Sequence, residues 1–374
     1  MAQLVFVHGV ATRGDAGYAE TVANRDALFR AVLFKGTATD IHTPLWGDIV
    51  PRIDRRVFDT HGAIKTFSLG SGAFGAGLGG GMSDRTAGDP TGPSLGDVAA
   101  QNEVVALDAL FVQLIDHAEE LKRSLTSAEV AAFGRAADEI ATGRHTLLKG
   151  AVTDRAIAGR LMTGGDRSLG ILNPFMSAAS AISDRIRNTA STIGFGAVRE
   201  RVSPAIALFL GDVLVYLREG GIRDRIRATV REALKTAHAA SMAGRGPLIV
   251  IGHSLGGVIA CDMLQDPSSG LPPDLRIDAL LTVGSQPGLF QTVGALGAGP
   301  IDGARAPRPA CVRRWLNVFD PIDPLAFTAA SVFDDVQDLA FDSVTGLVSA
   351  HTTYFKRPQF HARCRSRLTE FGLL

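Results

Sequence analysis

Apolar residues in this chain fall into two kinds of run. Short ones, unbroken at Leu4 to Val7 and Leu248 to Ile251 and carrying a few polar residues at Ile277 to Val283 and Val312 to Phe319, make up the first kind. Runs of that length and composition predict strands buried on both faces, as in a parallel sheet. Ile41-His-Thr-Pro-Leu-Trp46 predicts a further strand, with Trp46 as a core anchor or, alternatively, a wall of the active site. Other stretches repeat apolar residues at three- and four-residue steps and predict helices. They are Glu20 to Lys35, Asp97 to Arg123, Ser127 to Thr142 (capped by Thr126 or Ser127, with Glu129 in the first turn), Phe175 to Asn188, Pro204 to Leu217 and Ile222 to His238. Breaks are expected at Gly164-Gly165-Asp166 and at Asn173-Pro174. There is no internal repeat. Strands alternating with helices predict an α/β fold, a mostly parallel sheet flanked by helices.

The spacing of the strands divides the chain unevenly. About two hundred residues separate Trp46 from Leu248, far more than one crossover helix needs. The organisation expected is a core in two parts, residues 1–60 and 221–374, around a mainly helical insertion at 61–220 that serves as a cap or lid. The insertion opens with Thr66 to Met82, uncharged and dense in glycine. That stretch contains G-x-G-x-x-G twice, but no helix opens at the third glycine, so it lacks the context of a dinucleotide site. It reads as a lid hinge, a lipid-touching segment or a plain surface loop.

Composition changes this picture little. Basic and acidic residues balance at 38 each, so no global field draws the chain to nucleic acid. Three scattered cysteines, Cys261, Cys311 and Cys364, imply no disulfide framework. The chain runs from Met1 directly into a strand without a basic leader, and no apolar run reaches the length of a membrane span. A cytoplasmic location is expected, though a non-classical export route leaves no mark in a sequence. The arginines of 222–238 alternate with Asp224 and Glu232 and predict a solvated, salt-bridged face.

Chemistry enters at Pro247-Leu-Ile-Val-Ile-Gly-His-Ser-Leu-Gly-Gly257. An apolar strand, G-x-S-x-G and an unbroken helix make a nucleophile elbow, which lifts the serine hydroxyl clear of the sheet. The helix N-terminus beneath it offers free N–H groups to an oxyanion. A serine hydroxyl needs a base, and the base needs an acid to orient it. Acid and base follow the serine in this arrangement, and of nine histidines only His351 and His361 do so. His361 lies in a basic tail, Lys356 to Arg367, without an acidic residue, and reads as solvent-facing. His351 is therefore the expected base. His253 adjoins Ser254, but the sharp turn points neighbouring side chains apart. The acid belongs at the carboxyl end of a strand, which selects Asp320 or Asp323.

Val-His-Gly at 7–9, Gly-His-Ser-Leu-Gly-Gly at 252–257, Asn-Val-Phe-Asp-Pro-Ile-Asp-Pro-Leu at 317–325 and Ala-His-Thr-Thr-Tyr-Phe at 350–355 resemble the lipase and esterase members of the α/β-hydrolase superfamily, class 3 lipases in particular. The resemblance spans roughly 1–50 and 245–356 and leaves out the insertion. It implies an α/β-hydrolase fold and a serine hydrolase of carboxylic esters. It implies Ser254 as nucleophile, His351 as base and Asp323 as acid, with Asp320 the alternative. The N–H groups of Val10 and Leu255 are implied as the oxyanion hole. No metal or organic cofactor is called for. Lipid or phospholipid acyl esters are the favoured substrates, with transient membrane-surface contact through the apolar insertion and the basic tail. Two alternatives stay open: a serine peptidase or thioesterase on the same triad, and a non-catalytic binding module that uses the helical insertion.

Overall fold

Six strands form one sheet in the computed structural model, all parallel, in the order β2-β1-β3-β4-β5-β6. They are β1 Ala2–Val7, β2 Thr39–His42, β3 Leu248–His253, β4 Ala279–Val283, β5 Trp315–Phe319 and β6 Val336–Ala340. The structure describes residues 1–52, 94–162, 169–188, 209–218, 220–296, 304–340 and 350–374. The Gly-rich stretch 66–82 and the break at 164–166 lie outside the described residues.

The two faces of the sheet are read directly from alternation along its strands. In β1, Leu4 and Phe6 face one side and Val5 and Val7 the other. On the first side Ile249, Ile251, Leu281 and Leu316 pack with Phe29, Phe34, Tyr354 and Phe360. On the other, Val250 and Leu280 meet helix 221–242 (through Val230 and Leu234) and helix 255–265 (through Val258 and Ile259). Burial on both faces accounts for the predominantly apolar runs that predicted these strands. Only β6, Val-Gln-Asp-Leu-Ala, escaped the sequence reading. It is an edge strand whose burial is partial and whose pattern is half polar.

The helices of 94–188 bury a core of their own. They are α2 Leu95–Gln101, α3 Glu103–Glu120, α4 Ser127–Thr142, α5 Asp154–Leu161 and α6 Leu169–Asn188. Phe111, Phe133, Ile157 and Phe175 are central to that core, which also takes in Leu28, Val32 and Ala362. The last three belong to α1 (Tyr18–Leu28), to the π-helical turn that continues it (Phe29–Leu33) and to the C-terminal helix Pro358–Glu370. These elements are therefore shared between the helical layer and the sheet. A helix over 209–217 follows as α7, then α8 Gly221–Met242, α9 Leu255–Gln265, α10 Pro287–Thr292 and the C-terminal helix as α11. No described helix is long and apolar enough to cross a membrane.

Several expectations need correction. The helix foreseen over Asp97 to Arg123 is two, because Asn102 leaves the helical region (φ −152°, ψ 99°) and caps α3 by accepting from Val105 N–H. Pro174 stops nothing: it lies inside α6. The second strand ends at His42, before Pro44 and well short of Trp46. Arg223 and Arg227 reach across to Asp262 and Asp266 on and after α9, rather than pairing along their own helix.

The largest correction concerns the tail, which is not solvent-facing. His361 and Arg357 are fully buried. Lys356 pairs with Asp116 and Glu119 of α3, and Arg365 with Asp138 of α4. The acids missing from the tail come from the helical layer more than two hundred residues earlier. The tail is thus a mortar between layers, and it no longer argues for contact with lipid headgroups.

Candidate active site

At the end of β3 the chain turns through Ser254, whose φ of 51° and ψ of −129° are unusual for a residue with a side chain. Such a conformation costs on the order of 1–3 kcal/mol and persists only where its surroundings enforce it. Ser254 N–H donates to Val283 O (3.0 Å), while its carbonyl accepts from Gly257 N–H (3.0 Å) and Ser285 Oγ–H (2.6 Å). The flanking glycines permit the close approach. A Cβ on Gly252 would sit 2.5 Å from Gly257 Cα, and one on Gly256 would overlap the carbonyl oxygens of Val7 and His8.

The hydroxyl raised by this turn meets His351. Ser254 Oγ lies 2.9 Å from His351 Nε2, and His351 Nδ1 lies 2.9 Å from Asp323 Oδ2. The carboxylate can only accept, so Nδ1 carries the proton and Nε2 is left to receive one from the serine. All three side chains are buried, Ser254 completely.

Asp323 and Asp320 stand together in the turn after β5 but do different things. Asp323 Oδ1 accepts from Leu325 N–H (2.9 Å), and Oδ2 accepts a second bond from Tyr354 OH (2.9 Å). Asp320 Oδ1 caps its own turn through Ile322 N–H (3.0 Å), and Oδ2 lies 3.5 Å from Arg357 Nη1. Asp320 N–H donates to the Tyr354 hydroxyl. Between the two candidate acids, the one on the histidine is Asp323. Burial first, and then the charge of Asp323, push the Tyr354 phenol well above its ordinary pKa, so it stays a donor.

His253 has a role that sequence reasoning set aside too simply. Its ring lies 5.1 Å from that of His351, and Nε2–H donates to the backbone carbonyl of His351 (2.9 Å). It therefore anchors the loop that carries the base. Burial, reinforced by the neighbouring His351, lowers its pKa to about 3, so it remains a neutral donor. The adjacent Tyr354 and His253 fall inside the motifs quoted from the sequence, and their spacing from His351 and Ser254 was the signal available.

The loop after β1 lies directly against the elbow. A Cβ on Gly9 would stand 2.9 Å from Ser254 Cβ and 3.0 Å from His253 Nδ1. His8 behind it is clamped by Trp46, which stacks on its ring at 4.8 Å and donates Nε1–H to its carbonyl (2.9 Å). Trp46 is thus a fully buried anchor. Among the described residues, neither Val10 N–H nor Leu255 N–H has a hydrogen-bond acceptor.

A cavity of about 280 Å³ opens beside this loop, with Phe6, Val10, Val22 and Phe355 on its walls together with the charged side chains of Arg25, Glu119 and Lys356; Ser254 and His351 do not line it. A larger one, about 1000 Å³, lies at the opposite end of the sheet, among residues that precede β4 and β5. Ligands of parallel sheets bind at the carboxyl ends of the strands, so the smaller cavity is the relevant one. No group of three or more His, Cys, Asp or Glu among the described residues could hold a metal ion. No family model matches the chain, nor does any curated protein or solved structure.

Proposed function

We propose that the chain is a serine hydrolase of carboxylic esters built on an α/β-hydrolase core, with lipid or phospholipid acyl esters as its favoured substrates. The observation that carries the reading is the continuous relay from Ser254 through His351 to Asp323, with both links at 2.9 Å. The cavity next to Val10, where Phe6, Val22, Leu28 and Phe355 line part of the wall, supports an acyl chain as one arm of the substrate.

The reaction would run in two halves. Ser254 Oγ attacks the ester carbonyl carbon while its proton passes to His351 Nε2. The oxygen gains negative charge and is held by the N–H groups of Val10 and Leu255, aligned beforehand. Asp323 stabilises the imidazolium without taking its proton. The C–O bond to the alcohol breaks, and the alcohol leaves with the proton from His351. Water then gives a proton to His351 and attacks the acyl-enzyme, which releases the carboxylic acid and restores Ser254.

Labelling with a fluorophosphonate probe tests this directly, on wild type, Ser254→Ala and His351→Ala. Wild type is expected to label and both variants to stay dark. A folded wild type that stays unlabelled, with and without lipid micelles, sinks the hydrolase reading. A parallel panel of acetyl, butanoyl and hexadecanoyl esters, a phospholipid, a thioester and a peptide sets the substrate class. Preference for the thioester or peptide would overturn the ester assignment while leaving the triad intact.

A further inference from the structure

We propose that Asp212, on the α7 helix of the insertion, is the positioning residue of the oxyanion hole. The inference rests on the hydrolase reading above and assigns Asp212 no contact with substrate. Its carboxylate is buried and grips the loop after β1 at three points. Oδ2 accepts from Ala11 N–H (2.9 Å) and from Arg13 Nη1 (3.2 Å), and Oδ1 accepts from Arg13 Nη2 (2.8 Å). The ion pair is shielded, with 1% of the Asp212 side chain and 10% of Arg13 exposed.

The loop needs this grip. Ala11 has φ 58°, a left-handed conformation that is strained for a residue with a Cβ. A buried charge-assisted hydrogen bond to its N–H is the kind of interaction that offsets such a cost. Val10 stands between two fixed points: Gly9, pressed against Ser254 and His253, and Ala11, held by Asp212. With both neighbours pinned, the direction of Val10 N–H is set before substrate arrives. Arg13 neutralises Asp212, so the carboxylate contributes geometry rather than a field at the oxyanion.

Position in the chain gives this arrangement its meaning. Asp212 lies about two hundred residues from the loop it holds. Tyr216, one turn further along α7, donates to Asp262 Oδ2 of α9 (2.6 Å). One short helix thus ties the oxyanion loop and the helix behind the nucleophile together, and the insertion supplies it.

Two double variants test the hydrogen bond while removing the ion pair in both, so neither leaves a buried charge alone. R13A/D212N keeps an amide oxygen for Ala11 N–H, and R13A/D212A does not. Both are compared with wild type for ester turnover, and for inhibition by a trifluoromethyl ketone, whose adduct carries the oxyanion. R13A/D212A is expected to lose roughly 10- to 100-fold in kcat with KM little changed, and to bind the ketone weaker in parallel. R13A/D212N is expected to recover most of both. Equal kcat in the two variants overturns the assignment, as does a loss in KM alone. A wild type that neither labels nor turns over any ester fails at the earlier step, and so sinks the hydrolase reading as well.

Discussion

At the scale of residues, the site is governed by how many bonds each acceptor carries. Asp323 has both oxygens engaged, Oδ1 by Leu325 N–H and Oδ2 by His351 and Tyr354 together. A carboxylate held this way cannot swing, so it fixes the tautomer and the aim of the imidazole. Tyr354→Phe removes the charge-assisted bond to Asp323, together with the acceptor of Asp320 N–H, and frees that swing without opening a cavity. A bond of this type contributes about 1.5–3 kcal/mol, so kcat/KM should fall by roughly 10-fold, and by no more than about 160-fold. Steady-state kinetics on a soluble ester measures it, and unchanged kinetics would show that Leu325 alone holds the acid. Sequence reading reached Ser254 and His351 through the elbow and chain order, because those rules act on single residues. Strand position alone leaves Asp320 and Asp323 open, since both follow the same strand and only the side-chain direction separates them; the choice of Asp323 comes from the resemblance. It misjudged His361 because the acids that neutralise its neighbours lie on α3 and α4, where no local pattern reveals them.

At the scale of elements, the elbow is the most constrained junction, because strand, turn and helix meet backbone to backbone. Gly252 faces Gly257 Cα, a neighbour with no rotamer to yield. Gly252→Ala is therefore expected to push α9 off β3, lowering stability by about 1–3 kcal/mol, the usual cost of overpacking. Turnover should fall as well, since Leu255 N–H opens α9. Denaturant unfolding with ester turnover on the same preparation checks both, and a variant as stable and active as wild type would mean the turn has slack. The same contrast explains which elements were legible. β1, β3, β4 and β5 are buried on both faces, so their sequences are nearly pure apolar runs. β6 is an edge strand, and its five residues, Val-Gln-Asp-Leu-Ala, neither alternate nor form an apolar run, so they resemble a loop. Apolar periodicity runs straight through Asn102, and local propensity expects a break at Pro174. One broke a helix by capping the next, and the other was carried inside a helix packed on the apolar core of its layer.

At the scale of the molecule, the sheet and the helical layer are joined through buried polar groups, and these make the fold sensitive to pH. Asp108 of α3 accepts from Gln359 N–H at the start of α11 (3.1 Å). Burial raises its pKa to about 7, against the smaller opposing pull of that N–H, Arg357 and Arg363. Between its ordinary value near 3.8 and about 7, folded Asp108 holds a proton that the unfolded chain has released. Its contribution to stability therefore falls as pH rises through that window. Three histidines act in the opposite sense. Burial lowers His8 to about 4, His253 to about 3 and His361 to about 4, from an ordinary 6.5. Below 6.5 the unfolded chain takes up protons that these folded rings refuse, so stability climbs with pH between about 4 and 6.5. With three groups against one, wild type is expected to gain stability from pH 5 to pH 6, but at a slope blunted by Asp108. Asp108→Asn keeps an oxygen for Gln359 N–H and removes the opposing titration. The slope should then steepen by up to about 1.4 kcal/mol per pH unit, the linkage of one proton. Urea unfolding at pH 5.0, 5.5 and 6.0 on both proteins measures the two slopes. Parallel slopes would mean that Asp108 is already ionised in the fold, with Arg357 serving as its counter-charge across the interface between the layers.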